Sequence, residues 1–500
     1  MRGLSKVRSR ALYGVAAPEV MVEVRLSSGL PAFTVVGLAE TEVKESRERV
    51  RSSLEVARFP FPQERVTVSL APADLPKASA RLDLPIALGI VAAAGHVPQK
   101  ALEDMEFAGE LSLDGALRPV RGVLPMVLEA KRAGRTFVLP CENLAEASLV
   151  RDAQVLGAPD IGAVLAHLRG DASLASAAAF SSPVRPPCPD FSEVKGQLLA
   201  KRGLEIAAAG GHNLLMIGPP GSGKSMLAER FPGILPSMSE EEARQSAAVW
   251  SVSDLGFDAS AWGMRPFRAP HHSASAAALV GGGSSPKPGE VSLAHEGVLF
   301  LDELPEFDRR VLDMLREPME TGVMRIARAQ RRLQFPARFQ LLAAMNPCPC
   351  GYLGHPKIPC RCTPTQTERY RARVSGPFLD RVDIFVEVGA LPVQDLAGAA
   401  PEEKSESIRG RVAKARKLQM ARRGCANARL STKEIESDAR LAPEARKMLL
   451  SACERFSFSG RGYARTLKVA RTVADLSESF ATETAHLAEA LQFRAFFLVE

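Results

Sequence analysis

The chain has 500 residues, 46% apolar and 24% charged, with a formal net charge of +7. That length suits two to four domains and the composition is that of a folded protein, not a disordered or fibrous one. No window reaches the ~18 uncharged apolar residues that a membrane span needs, and "MRGLSKVRSRALYGVAAPEV" lacks the apolar centre of a secretory leader, so the chain is expected in the cytoplasm with no membrane partner. The basic surplus, spread over so many residues, admits nucleic acid as a partner without requiring it.

In chain order, residues 1–175 alternate strand-like runs ("VMVEVRLSS", "PAFTVVGL", "RVTVSLAP", "RTFVLP") with helix-like ones ("ETEVKESRERVRSSLEVA", "LDLPIALGIVAAAG"). They are read as a mixed α/β domain. Residues 176–190 lie in a small-residue and then proline-rich stretch, "DASLASAAAFSSPVRPPCPDF", and are read as a linker. Residues 191–395 carry most of the chemistry. Residues 396–500 read as helices, with Ser431 and Thr432 as capping candidates before "KEIES".

The run "LLMIGPPGSGKSMLAERF" places an apolar strand, a glycine-rich loop and a helix in succession. Gly218, Pro219, Pro220, Gly221, Ser222, Gly223, Lys224 and Ser225 fit the phosphate-loop pattern G-x-x-x-x-G-K-[ST]. Glycines let backbone N–H groups wrap a phosphate, and a helix N-terminus adds positive potential. Lys224 is expected to reach the β- and γ-phosphates of ATP, and the Ser225 hydroxyl to hold Mg²⁺.

A second apolar run, "GVLFLDELPEF", ends in Asp302 and Glu303. Unpaired carboxylates at the end of a buried strand are expensive. With a phosphate loop upstream, Asp302 is read as facing Mg²⁺ and Glu303 as polarising the attacking water; taken alone, the pair would be two acids in a solvated turn. A third strand, "RFQLLAAMNP", brings Asn346 to an equivalent end, where its amide suits the γ-phosphate or the water. In "SGPFLDRVDIFVEV", Arg381 lies between a helix-like segment and a strand. It is read as acting on phosphate held by a neighbouring subunit, the alternative being a salt bridge to Asp380 or Asp383.

"PCPCGYLGHPKIPCRC" supplies Cys348, Cys350, Cys360 and Cys362. Four thiolates on a short loop suit a structural, tetrahedral Zn²⁺, with His355 as a substitute ligand; the alternative is four free thiols. The segment "PFRAPHHSASAAALVGGG" holds His271 and His272, as pore contacts or as structural residues. "GVMRIARAQRRLQFPAR" carries Arg325, Arg328, Arg331, Arg332 and Arg338 with no acid between them. It is read as a hairpin gripping nucleic-acid phosphates, or else as a solvated basic edge.

With "IGPPGSGKS", "RPFRAPHHSASAAALVGGG", "PKPGEVSLAHEGVLFLDELPEF", "CRCTPTQTERYRARVSGPFLDRVDI" and "SGRGYARTLKVARTVADL", the chain resembles AAA+ ATPases of the magnesium-chelatase-like branch. The resemblance implies an α/β P-loop core, a parallel sheet with flanking helices, followed by a helical lid. It implies Walker A at Gly218–Ser225, Walker B at Asp302 and Glu303, sensor 1 at Asn346, an arginine finger at Arg381, and a sensor 2 arginine at Arg461 with Arg465 in reserve. It further implies a homohexameric ring working as a motor on branched or single-stranded DNA, promoting branch migration and integration of imported DNA during natural transformation. The alternative is a remodelling ATPase acting on a protein or chelatase-type complex.

"GELSLDGALRPVRGVLPMVLEAKRAGRTFVLP" resembles the proteolytic domain of Lon. Where that family has its nucleophilic serine and its lysine, this chain has Ile86 and Pro125. Neither side chain can do the chemistry, so the domain is expected to be non-proteolytic.

Overall fold

A computed structural model describes the chain apart from residues 1–2, 38–40, 74, 76–79, 178–187, 284–285, 329–330, 391–401 and 496–500. The side chains of 41–44, 327–328, 331–332 and 495 also lie outside the description. Most of the expected linker, and the expected boundary between core and C-terminal helices, fall on undescribed residues. Two compact units emerge: residues 1–185 with 247–262 and 327–334, and residues 186–246, 263–326 and 335–500.

The first unit is built on an eight-stranded mixed sheet. Its strands are β1 (Leu4–Arg10), β2 (Glu19–Ser27), β3 (Ala32–Val36), β4 (Arg65–Ala71), β5 (Met105–Phe107), β8 (Thr136–Pro140), β9 (Val155–Ala158) and β10 (Ala175–Ser176). A small hairpin, β6 (Glu110–Leu111) and β7 (Leu117–Arg118), stands apart from it. The strand order is β10-β9-β8-β5-β1-β2-β4-β3. Val20, Val22 and Val24 on β2, with Val66, Val68 and Leu70 on β4, are the alternate residues that turn inward. They pack in one core with Ile86 and Ile90 of the helix Asp83–Ala93, which is apolar on nearly every face and correspondingly buried.

Ile86 is thus a core residue, and Pro125 is buried within the helix Val123–Arg132. Asp83 is committed to Arg49, Oδ2 to Nε 2.6 Å. Burial pushes the Asp83 pKa up to about 6 although Arg49 pulls the other way.

The second unit holds a five-stranded parallel sheet. Its strands are β11 (Leu214–Ile217), β12 (Phe267–Arg268), β15 (Val298–Leu301), β18 (Gln340–Met345) and β19 (Ile384–Glu387), in the order β12-β15-β18-β11-β19. Two short hairpins are separate from this sheet, β13 (Gly281–Gly282) with β14 (Lys287–Pro288), and β16 (Val323–Arg328) with β17 (Arg331–Pro336), of which residues 327–334 group with the first unit.

Parallel strands covered on both faces read as unbroken apolar runs, and their side chains divide by parity. Leu214, Met216, Val298, Phe300, Leu342, Ala344, Ile384 and Val386 enter one core. Leu215, Ile217, Leu299, Leu301, Leu341, Ala343, Met345 and Phe385 enter the other. Beyond residue 402 the chain is helical, at Ser405–Arg423, Thr432–Asp438, Pro443–Arg455, Gly460–Leu476 and Thr484–Ala495. Ser431 caps the second of these in a reciprocal box with Glu434. The fold is therefore α/β with a parallel core and a helical C-terminal region, as the sequence predicts. Among the described residues no helix is long and apolar enough to cross a membrane.

Candidate nucleotide site

The loop between β11 and the helix Lys224–Arg230 has the backbone that a phosphate cradle requires. Gly223 takes φ +93, where a side chain would be strained. A Cβ on Gly218 would sit 2.1 Å from the Val388 carbonyl oxygen, so only glycine lets β11 and the chain after β19 approach this closely. Ser222 Oγ is buried in the loop with no partner among the described residues. Lys224 Nζ donates to the Gly218 and Pro219 carbonyls at 2.8 and 2.9 Å and to Asn346 Oδ1 at 3.2 Å. Burial lowers the Lys224 pKa, and the nearby Asp302 and Glu303 charges oppose that shift.

The carboxyl ends of β15 and β18 deliver the other groups. Ser225 Oγ donates to Asp302 Oδ2 at 2.7 Å, which puts both expected magnesium-binding oxygens side by side. The Glu303 N–H donates to Asp302 Oδ1 at 2.9 Å, and Glu303 itself takes a left-handed backbone, φ +51. A cavity of 380 Å³ is lined by Pro220–Met226 with Asp302, Glu303 and Asn346. Lys224, Ser225, Asp302, Glu303 and Asn346, spread over 123 positions of sequence, therefore face one space.

Sequence reasoning did not connect one further residue with this site. His272 Nδ1 lies 3.2 Å from Glu303 Oε2, and the His271 ring lies tilted against His272 with centroids 4.1 Å apart. These histidines, with Phe267, Phe300 and Glu229, line an adjoining cavity of 310 Å³ that shares Ser225, Asp302 and Glu303 with the first. Nothing in the spacing of "PHHSAS" signals a contact with a carboxylate on another strand.

Arg381 and Arg461 do not join the group. Arg381 precedes β19, at the sheet edge opposite the phosphate loop. Its guanidinium is buried: Nε donates to the Arg316 carbonyl at 3.2 Å, Nη1 to the Pro377 carbonyl at 2.6 Å, and Nη2 meets Glu320 at 2.6 Å. Its carboxylate partner is thus neither Asp380 nor Asp383. Arg461 is exposed, 3.7 Å from the same Glu320. Arg465 pairs with Asp383 and donates to the Arg381 carbonyl at 3.2 Å.

Asp383 is fully enclosed, and Arg465, His212 and the Asn213 N–H hold its pKa well below the usual carboxylate range against the opposing effect of burial. A lowered folded-state value means that its contribution is complete above about pH 4 and is lost as the pH falls further. Asp383→Asn should lower stability by roughly 3–5 kcal/mol at neutral pH and flatten the acid limb of the unfolding midpoint measured against pH. An unshifted midpoint at pH 7 would refute this.

The four cysteines of the loop after β18 converge. Cys348 Sγ lies 3.4 Å from Cys350 Sγ and 3.6 Å from Cys360 Sγ, and all four sulfurs fall within 4.8 Å of one another. Backbone N–H groups of Cys350 and Cys362 donate to the Cys362 and Cys360 sulfurs, both at 3.4 Å. A soft, compact S₄ set with N–H···S support fits tetrahedral Zn²⁺. His355 lies outside this set, and its Nδ1 accepts from the Lys357 and Ile358 N–H groups. The loop also abuts the nucleotide cradle: a Cβ on Gly351 would meet Pro220 Cδ at 2.5 Å.

The β16–β17 hairpin forms. Arg325 is exposed and paired with Glu317, and Arg338 leaves the hairpin to meet Glu296 at 2.9 Å. The side chains of Arg328, Arg331 and Arg332 lie outside the described residues.

Comparison with known proteins agrees with this architecture. The family profile described as magnesium chelatase, subunit ChlI, matches residues 190–396; companion profiles for ChlI and for its C-terminal region match residues 22–143 and 402–494. Competence protein ComM of Haemophilus influenzae is 49% identical over 98% of this chain and 97% of its own length. YifB of Escherichia coli is 47% identical with the same coverage. A short stretch, 17% of this chain and 11% of its match, is 37% identical to Lon protease 1 of Herpetosiphon aurantiacus. The chain belongs to the magnesium-chelatase-like family of AAA+ proteins, with ComM and YifB as full-length relatives.

Proposed function

We propose that this protein is an ATPase that works as a homohexameric motor on branched or single-stranded DNA, driving branch migration and so the integration of imported DNA. The observation that carries the reading is the convergence of Lys224, Ser225, Asp302, Glu303 and Asn346 on one cavity. Lys224 holds the β- and γ-phosphates of ATP, and Asn346, already bonded to the Lys224 ammonium, orients the γ-phosphate. Glu303 accepts a proton from the attacking water at a carboxylate oxygen. Ser225 Oγ and Asp302 would hold Mg²⁺, which neutralises charge on the phosphate oxygens. Arg381 and Arg461, on the far edge of the sheet, serve the nucleotide of a neighbouring copy.

The DNA part is supported by the arginine-rich hairpin and by a relative whose name is competence protein. ATP turnover measured beside four-way, forked, single-stranded and duplex DNA tests it, with stimulation by branched or single-stranded DNA expected. The family's magnesium chelatase profile favours a second reading, a remodelling ATPase on a protein complex. Absence of stimulation by any DNA would select that reading.

Replacing Arg331 and Arg332 together with Gln should weaken single-strand binding and reduce the slope of log affinity against log salt by about 1–2. An unchanged slope would remove the hairpin from the DNA path. A structural Zn²⁺ on Cys348, Cys350, Cys360 and Cys362 completes the proposed cofactors. Purified protein should carry one zinc per chain by elemental analysis, and Cys350→Ala with Cys360→Ala should carry none. Equal metal content in the two proteins would refute the site.

A further inference from the structure

The parallel sheet has a second cavity, of 420 Å³, at the edge opposite the phosphate loop. Asn213, Gly297, Gln340 and Asp383, at or just before the N-terminal ends of four strands, line it. Open parallel sheets hold their nucleotides outside the carboxyl ends, so this space is no extension of the ATP site.

Its charges do not balance. Arg265, Arg338, Arg416, Arg429, Arg465 and Lys468 line it against three carboxylates. Glu296, whose side chain is 1% exposed, is shared by Arg265, Arg338 and Arg429 at 3.8, 2.9 and 3.1 Å. Asp383 is taken by Arg465, and Glu320 turns to Arg381 and Arg461. Among the described residues Arg416 and Lys468 have no carboxylate within 4 Å. Arg416 donates only to the Ala208 and Ala209 carbonyls, at 2.9 and 3.0 Å, and Lys468 only to the Ala428 carbonyl, at 3.0 Å.

Burial, then the neighbouring Arg265 and Arg429 charges, pushes the Arg416 pKa down to about 10, and burial also lowers that of Lys468. Crowded, desolvated cations with donors to spare are costly unless an anion joins them.

We propose that this cavity is a second oxyanion site, built for a phosphate ester, with Lys468, Arg429 and the unused edge of Arg416 as its donors. Guanidinium forks beside an ammonium match phosphate oxygens in geometry and charge. The cavity includes the base of the β16–β17 hairpin: the Ala337 N–H donates to the Gly322 carbonyl at 2.8 Å, and Gly322 and Arg338 both line the cavity. Two sources present the same chemistry, a backbone phosphate of a strand held by the hairpin and a free phosphorylated small molecule. The first source rests on the DNA reading above; the site does not.

The test uses the full chain carrying Lys224→Ala, which disables the phosphate loop, with inorganic pyrophosphate as probe. Calorimetry should show one pyrophosphate bound per chain. Lys468→Gln and, separately, Arg429→Gln on the exposed rim should each weaken it about tenfold or more, and Lys468→Arg should retain it. Absence of pyrophosphate binding, or binding unchanged by both neutral substitutions, overturns the proposal. A single-stranded oligonucleotide separates the sources. Loss of its affinity in the same variants, with competition by pyrophosphate, assigns the site to nucleic acid; unchanged affinity assigns it to a small molecule. An oligonucleotide that binds nowhere, beside intact pyrophosphate binding, sinks the DNA reading and leaves the oxyanion site standing.

Discussion

Glu303→Gln protein should bind ATP as tightly as the unaltered chain and turn it over at least ~100-fold more slowly. The substitution keeps the size and planarity of the side chain and removes only its ability to take a proton. Nothing that contacts the loop is lost, because the Glu303 backbone N–H, not its carboxylate, bonds Asp302. Lys224→Ala is the contrasting case: its ammonium is bonded to the loop carbonyls and to Asn346, so its loss removes binding itself. A fluorescent ATP analogue reads affinity and phosphate release reads turnover. Normal turnover by the Glu303→Gln protein would transfer the base to another group, and His272, 3.2 Å from Glu303, is the candidate.

The parallel core was legible because its strands are buried on both faces. "LLMI", "VLFL" and "QLLAAM" have no polar alternation, and each is followed by the residues that chemistry needs. A polar group close after a buried strand stands out from the apolar run, so Lys224, Asp302 and Asn346 were singled out by position, and the structure brings them to one cavity. The cysteine cluster was legible for another reason. Fifteen residues of Pro- and Gly-rich loop can fold back on themselves, so C-x-C pairs close in sequence meet in space.

Contacts between distant elements were not legible. His272 reaches Glu303 because β12 lies beside β15, and no local pattern encodes that adjacency. The pairing of Arg381 followed the same logic. Sequence offered Asp380 and Asp383 as neighbours, but Asp383 turns to Arg465 and the Asn213 N–H, leaving Glu320, 61 positions earlier, as the partner. The shared carboxylate Glu296 was equally hidden, since its three arginines come from separate segments.

Arg381→Ala should lower ATP turnover by ~10³–10⁵ and leave ATP binding by the isolated chain unchanged. The sheet register explains both halves. Leu214 pairs with Ile384 and Ile217 with Glu387, so Arg381 lies below the strands and the phosphate loop above them. Four strand residues alone span ~13 Å, farther than an arginine side chain reaches, so Arg381 cannot touch the nucleotide of its own chain. Its Nε and Nη1 are fixed by backbone carbonyls, and Nη2 faces Glu320, whose side chain is 42% exposed. That corner is where a γ-phosphate from a second copy would replace a carboxylate.

Truncation also strands two carbonyls at ~1–3 kcal/mol each, so loss of activity alone decides nothing. Mixing does decide. Arg381→Ala protein and Lys224→Ala protein should each be inactive, but in a mixed ring they would form interfaces that pair an intact loop with an intact arginine. Recovered turnover in the mixture, with both variants melting as folded proteins, establishes action across subunits. A silent mixture of two folded variants that co-assemble would confine Arg381 to bracing the Pro377 turn against the helix Arg316–Thr321.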